Sequence, residues 1–323
     1  MTSLARPNLS GSQAAPDARA DGPGPATRSV ALVAVLAGTL RPTAWDRSIS
    51  RSILDLPVDA RTTVLNRWRC HTADAARSLG FAVPSLHVLL TRGSTPPAVT
   101  DAPDLCNASI KVDQAEFPGT GGALRHAALG LPDDARVLVV SGQQVPLRPL
   151  DELLARLFDT GGDLAMCATD DGLPVGLMLT SARLLGAIRE TAFSDFKEQA
   201  LPELAKRFDI RVLHSPRTFA APIRTMDGYL AALRALAKGD RQVSLSPWTE
   251  DWSSSFSVVE PGATVDPSAR LHDSVVLRGA VVAPGALVVR SVVCSGARVN
   301  AGERLVDTLL SARGARTGNG GQA

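Results

Sequence analysis

The hydrophobic pattern of this chain falls into distinct textures, and each predicts a different kind of element. Unbroken apolar runs bounded by turn residues occur at residues 30–36 (VALVAVL), 86–90 (LHVLL), 137–140 (VLVV) and 164–168 (LAMCA). Runs of this length without alternation are what strands covered on both faces look like. Residues 61–79 and the stretch running to Lys238 instead place apolar side chains at helical spacing. Strands interleaved with helices predict a three-layer, Rossmann-like α/β domain. From Val258 the period becomes six: Val281, Leu287, Val293, Val299 and Leu305 recur at that spacing, and Val265 and Leu271 begin it earlier. Mostly small residues follow four places later, at Ala269, Val275, Gly285, Ser291 and Ala297. This predicts a hexapeptide parallel β-helix of roughly two to three coils. A stack that short needs a neighbour to cover it.

The segment 116–154 carries the most information. Gly119, Gly121 and Gly122 read as a loop that lets the backbone approach a flat ligand or turn sharply. A short helix is expected at 123–129, then the strand 137–140, which ends in Ser141-Gly142-Gln143-Gln144. Ligands of open α/β sheets sit beyond the carboxyl ends of strands, so chemistry is expected there. Upstream, the first strand runs into Ala37-Gly38-Thr39-Leu40-Arg41-Pro42, which reads either as a phosphate-binding turn or as an ordinary exit loop. Trp68 reads as core and His87 as a satisfied sheet residue. Asp170-Asp171-Gly172 reads as a solvated turn in preference to a metal site, and Asp151 as a capping and dipole-complementing residue at the start of the Leu153-Leu154 helix.

The order Gly119-Thr120-Gly121-Gly122-Ala123-Leu124, helix, strand, Gly142-Gln143 resembles the sugar-1-phosphate nucleotidyltransferases, in which a G-T-A-G-A-L loop precedes a strand ending in Gly-Asp. Residues 195–204 (DFKEQALPEL) resemble a helix of that family and residues 219–230 (FAAPIRTMDGYL) a later stretch, and its catalytic domain is often followed by a left-handed β-helix. The resemblance implies a nucleotide-diphospho-sugar transferase domain at 29–238, a linker at 239–256 and a short left-handed parallel β-helix at 257–311. Tails at 1–28 and 312–323 are rich in small and polar residues and are expected to be disordered. The resemblance also implies a nucleotide site built from Gly38, Thr39, Arg41, Gln114, Gly119, Thr120, Gly121, Gly122 and Gln143. Gln114 is equally well read as a solvated loop residue.

The same comparison exposes losses. The opening glycine loop is shortened, and Arg51 stands where the family has a lysine. The sugar-binding hairpins are reduced to the Asp170–Gly172 turn. The two metal-binding carboxylates fall at Gln143 and Pro222. Magnesium needs hard anionic oxygens beside the substrate's phosphates, so no catalytic or metal residue is assigned, no cofactor is expected, and magnesium would matter only if activity remained. The expected protein is a catalytically degenerate homologue, a regulatory or scaffolding subunit that binds a nucleotide or nucleotide sugar. It would associate through the β-helix with itself or with an active paralogue. The alternatives are an active transferase with metal ligands elsewhere, such as Asp170 or Asp171, and a structural adaptor that binds no nucleotide.

Composition narrows the rest. The 323 residues carry 34 basic and 32 acidic side chains, a net charge of +2, which gives no reason to expect a nucleic-acid partner. Lysine occurs only at 111, 197, 206 and 238, which limits lysine-based chemistry. Cys70, Cys106, Cys167 and Cys294 are scattered, with no paired spacing for zinc or a disulfide framework. The apolar runs are too short to span a membrane, and the residues before 29 lack a signal-peptide core. A cytoplasmic protein is expected.

Overall fold

The computed structural model describes residues 28–38, 43–112, 119–170, 172, 174–189, 195–215, 219–239, 256–313 and 316–318. Thr39, Arg41, Gln114, Asp171, residues 1–27 of the expected N-terminal tail, 240–255 of the linker, and 314–315 and 319–323 of the C-terminal tail lie outside the described residues; 316–318 of that last tail form a strand. A central strand, β1 (Leu32–Leu36), runs parallel to β2 (Ser85–Leu90) on one side and β4 (Arg136–Ser141) on the other. Beyond β2 lies β3 (Ala108–Val112), also parallel. Beyond β4 come β7 (Pro174–Ser181), antiparallel, then β6 (Leu164–Thr169) and β8 (Ile210–Ser215), giving the order β3-β2-β1-β4-β7-β6-β8. A separate two-stranded ribbon pairs β5 (Gln144–Pro146) with β9 (Ala220–Pro222).

The apolar runs are buried on both faces, as their lack of alternation predicts. Val33 and Val35 of β1 and Leu138 and Val140 of β4 face the helices α2 (Val64–Leu79), α4 (Asp151–Thr160) and α7 (Met226–Lys238). Leu32, Ala34, Val137 and Val139 face α3 (Gly119–Ala128), α5 (Ala182–Gly186) and α6 (Leu201–Leu204). Trp68 is fully buried, and its Nε1 donates to the Gln144 carbonyl at 3.0 Å, which fastens β5 to α2. Small caps set the helix ends. Thr63 accepts from Asn66 N at the start of α2, and Gly80 closes it at φ 77°. Thr43 and Asp46 form a reciprocal capping box on α1 (Ala44–Ile49).

Three expectations need correction. The glycines at 119–122 are not a loop ahead of a helix; they form the first turn of α3, where Gly119 and Gly121 are buried. Residues 195–204 are not one regular helix. Asp195 caps a single wide π turn, Phe196–Ala200, and α6 follows only afterwards. Pro202 explains the break, since it has no N–H to continue the ladder. Asp151 is not the N-cap of α4 either. Leu150 holds that position, and the Asp151 carboxylate accepts from Glu152 N at 2.9 Å within the first turn.

The C-terminal unit is a three-sided parallel β-helix. One side stacks β10 (Ser257–Val259), β13 (Ser274–Val276), β16 (Val292–Val293) and β19 (Thr308–Leu310), with β20 (Arg316–Gly318) antiparallel at its end. The second side stacks β11 (Thr264–Val265), β14 (Val281–Val282) and β17 (Arg298–Val299). The third stacks β12 (Arg270–His272), β15 (Leu287–Val289) and β18 (Arg304–Val306). A strict period of six would give coils of about 18 residues, but the coil is 17. Ser257 pairs with Ser274, Val275 with Val292 and Val292 with Leu309. The interior positions Val265, Leu271, Val276, Val282, Val288, Val293, Val299, Leu305 and Leu310 therefore advance by six, six and five. Each short side turns at a left-handed residue: Asp273 (φ 48°), Arg290 (φ 45°) and Asp307 (φ 49°). Val281 and Leu287, which the six-residue spacing places inside, sit one residue before the interior positions.

The short stack finds its neighbour within the chain. Val258, Val275, Val292 and Leu309, on the outer face of the four-strand side, belong to the same buried core as Ile49, Leu54, Tyr229 and Leu233. Polar ties flank that contact. Arg51 bonds both oxygens of Glu260 at 3.0 Å, and Arg234 bonds Asp273 at 2.8 Å.

Candidate functional site

The chain leaves β1 toward β2 and β3 on one side and continues to β4 on the other, so the β1–β4 junction is the topological switch point of the sheet. Two close-packed glycines shape its carboxyl edge. A Cβ on Gly38 would lie 2.7 Å from Thr91 N, and one on Gly142 would lie 3.0 Å from the Leu36 carbonyl oxygen. Both positions bring two backbones together, so steric need accounts for them independently of any ligand.

Gln143, in the turn between β4 and β5, stands on the wall shared by two cavities. The first, about 220 Å³, extends over β4, β6 and β7 toward Thr120, Gly176, Asp195 and Lys197. The second, about 300 Å³, extends toward Arg47, Arg51, Ser94 and Thr95. Ligand pockets for drug-sized molecules are typically about 300–1,000 Å³. The first cavity falls below that range and the second at its lower end.

The structure brings Gly38, Thr120 and Gln143 to the first cavity and Gln143 to the second. Gly119, Gly121 and Gly122 line neither cavity in the described residues; they lie in the α3 turn behind Thr120. Thr120 is already committed to structure. Its hydroxyl donates to Asp195 Oδ2 at 3.2 Å and accepts from Phe196 N at 2.9 Å, which ties α3 to the π turn. Asp195 in turn accepts from the backbone of Lys197 and Glu198, both at 2.9 Å.

Gln143 and Pro222, far apart in sequence, are neighbours in space. The Gln143 carbonyl accepts from Ile223 N at 2.9 Å, and Gln144 pairs with Pro222 in the β5–β9 ribbon. Neither side chain can carry a negative charge. Asp170 is exposed at the end of β6, and among the described residues no group of three or more His, Cys, Asp or Glu side chains is placed to hold a metal ion. Arg51 keeps a positive charge near the second cavity, but Glu260 pairs with it, and its Nη2 donates to Ser295 Oγ at 2.6 Å.

Sequence reasoning missed Gly176, which lines the first cavity, and the buried Gln144 side chain packed against it. Gly176 has φ 72°, and a Cβ there would lie 3.0 Å from Gln144 Nε2 and 3.2 Å from Oε1. Gln144 is 8 % exposed, and its Oε1 has no hydrogen-bond partner among the described residues. An isolated glycine early in a strand pattern was the available signal for this close approach. His87, expected to be satisfied, has no partner for Nδ1 among the described residues, and burial with the Lys111 charge lowers its pKa. It lies within β2 and lines neither cavity.

No family model matches the chain. Over 138 residues, 42% of the chain, it is 30% identical to the bifunctional protein GlmU of Marinobacter nauticus and spans 29% of that protein's length. Among solved structures, HddC from Yersinia pseudotuberculosis superposes with a TM-score of 0.46 at 14% identity, covering 64% of this chain and 99% of that one. The same protein complexed with GMP-PN gives 0.46 at 15% identity over 64% of this chain and 99% of that one. A putative glucose-1-phosphate thymidylyltransferase from Bacillus anthracis, in complex with a sucrose, gives 0.47 at 12% identity over 64% of this chain and 95% of that one. No helix among the described residues is long and apolar enough to cross a membrane. In sequence the chain is similar to the sugar-1-phosphate nucleotidyltransferases.

Proposed function

We propose that this protein binds a nucleotide or nucleotide sugar at the carboxyl edge of its sheet without transferring a nucleotidyl group, and serves as a regulatory or scaffolding subunit. The observation that carries this reading is the adjacency of Gln143 and Pro222. The resemblance assigns metal carboxylates to these two positions, and the fold brings them together at one end of the β5–β9 ribbon. An amide and a pyrrolidine ring stand where magnesium would need charge. Nucleotidyl transfer depends on neutralising phosphate charge as it develops, and each lost electrostatic contact typically costs about 10²–10³ in rate. Arg51 adds to the case, because Glu260 already balances its charge.

Binding tolerates these losses better than catalysis does, since two cavities and the glycine-shaped edge remain. The test is a thermal-shift panel of nucleotides and nucleotide sugars with and without magnesium, run beside a pyrophosphate-release assay. A ligand at a hundred times its Kd stabilises the fold by about 2.7 kcal/mol. A shift that needs no magnesium, with no pyrophosphate released, supports the proposal. Turnover of sugar phosphate and triphosphate well above a Gln143→Ala control refutes it, and an empty panel leaves the adaptor.

A further inference from the structure

Among the described residues the second cavity is lined by the α/β domain alone. One of its lining residues, Arg51, reaches from it to Glu260 and Ser295 of the β-helix, and the residue types around it are those of an oxyanion site. Ser50, Ser52, Ser94 and Thr95 line it together with Arg47, Arg51 and Asp46. The Ser50, Ser52 and Ser94 hydroxyls each make one local bond, to Arg47 O, Leu54 N and Thr91 Oγ1, and each keeps capacity for another. The nearby Asp46 carboxylate is turned to its own helix cap, accepting from Thr43 N and Oγ1 at 2.7 Å. The Arg51 guanidinium does not face the cavity unengaged. Its Nη1 bonds Glu260 Oε1 and Oε2, each at 3.0 Å, and its Nη2 bonds Ser295 Oγ. Glu260 is itself fixed, since Oε2 accepts from Arg278 N at 2.7 Å, and its side chain is only 12% exposed. A β-helix carboxylate thus occupies the charge that an incoming anion would seek.

We propose that Glu260 is an internal stand-in for an oxyanion. By holding Arg51 it keeps this cavity from phosphate-class ligands, so that anion binding and the seating of the β-helix compete for one guanidinium. Arginine and a carboxylate make charge-assisted bonds of the same kind that arginine makes with phosphate, which is why one can replace the other. The device concerns the cavity beside Arg51 and does not depend on recognition of a base or sugar in the first cavity.

The test is calorimetric titration of the full chain with inorganic pyrophosphate, for the wild type, Glu260→Gln and the Arg51→Gln/Glu260→Gln double variant. Glu260→Gln should bind pyrophosphate about tenfold or more tighter than the wild type, the worth of one charge-assisted hydrogen bond. The double variant should lose that gain. Unchanged affinity in Glu260→Gln overturns the proposal, and so does a gain that survives loss of Arg51. Should circular dichroism show Glu260→Gln unfolded, Ser295→Ala removes one tether and leaves the ion pair. It should still tighten binding about twofold, less than the worth of one hydrogen bond, and no change there overturns the proposal too. Nucleotide sugars titrated in parallel separate the two readings. If none binds while Glu260→Gln gains pyrophosphate, the functional reading fails and this one stands.

Discussion

Replacing Gly176 by alanine should damage both the fold and the first cavity, and the structure sets the size of the effect. Gly176 has φ 72°, where an L-residue pays about 1–3 kcal/mol of backbone strain. The new Cβ would also stand 3.0 Å from Gln144 Nε2 and 3.2 Å from both Gln144 Oε1 and Ser141 Cβ. Crowding of this kind in a packed interior costs about 1–3 kcal/mol. The expected destabilisation is therefore roughly 2–6 kcal/mol, read by equilibrium urea unfolding. A double-mutant cycle separates the two causes. Gln144→Ala removes the two amide atoms that crowd the new methyl group but leaves Ser141 Cβ and the strain, so the pair should be coupled favourably by about 1–2 kcal/mol. A Gly176→Ala variant within about 0.5 kcal/mol of the wild type, the range of an ordinary surface substitution, would refute the reasoning.

Other expectations follow from the same coordinates. Burial, reinforced by the Arg67 charge, pushes His71 down to about 4 from an ordinary 6.5. The unfolded chain then binds the proton first, so stability should fall as pH drops from about 6.5 to about 4. A His71→Asn variant should lose less than the wild type over that window. Burial pushes the Cys106 and Cys294 thiols up to about 12, so native protein should alkylate at the half-buried Cys70 well before either. Val292→Ala, in the core shared by the two units, should cost about 2 kcal/mol. Because that core is continuous, calorimetry should show one unfolding transition; two separated peaks would contradict it.

The strands were legible because their burial on both faces leaves an unbroken apolar signature, as in β1 and β4. The start of α3 was not. Three glycines in four residues argue for a loop, yet Gly119 and Gly121 are buried, and close packing overrides poor helix propensity. The β-helix was legible as a texture but not in register. Doublets such as Val281-Val282 and Val292-Val293 offer two equally apolar candidates for the interior, and only strand pairing decides between them. At the site, the end of the 137–140 strand and the family resemblance pointed to Gln143. Gly176 and Gln144 are brought together by a contact between β5 and β7 that no local pattern records. The Arg51–Glu260 tie spans 209 positions and was equally invisible.

The 17-residue coil governs how this β-helix could grow. Because each turn repeats its left-handed corner at the same angular position, Asp273, Arg290 and Asp307 form a column down one edge of the prism. A tandem copy of residues 274–290 would therefore slot in as a complete storey, with every apolar side chain above its counterpart. A copy of three uniform hexapeptides would be one residue too long and would turn all later strands inside out. Lengthening by gene duplication, or by a protein engineer, is thereby restricted to multiples of one unit. The outward face that rests on the α/β domain would be copied along with it, leaving each added storey with an apolar wall that requires a new partner.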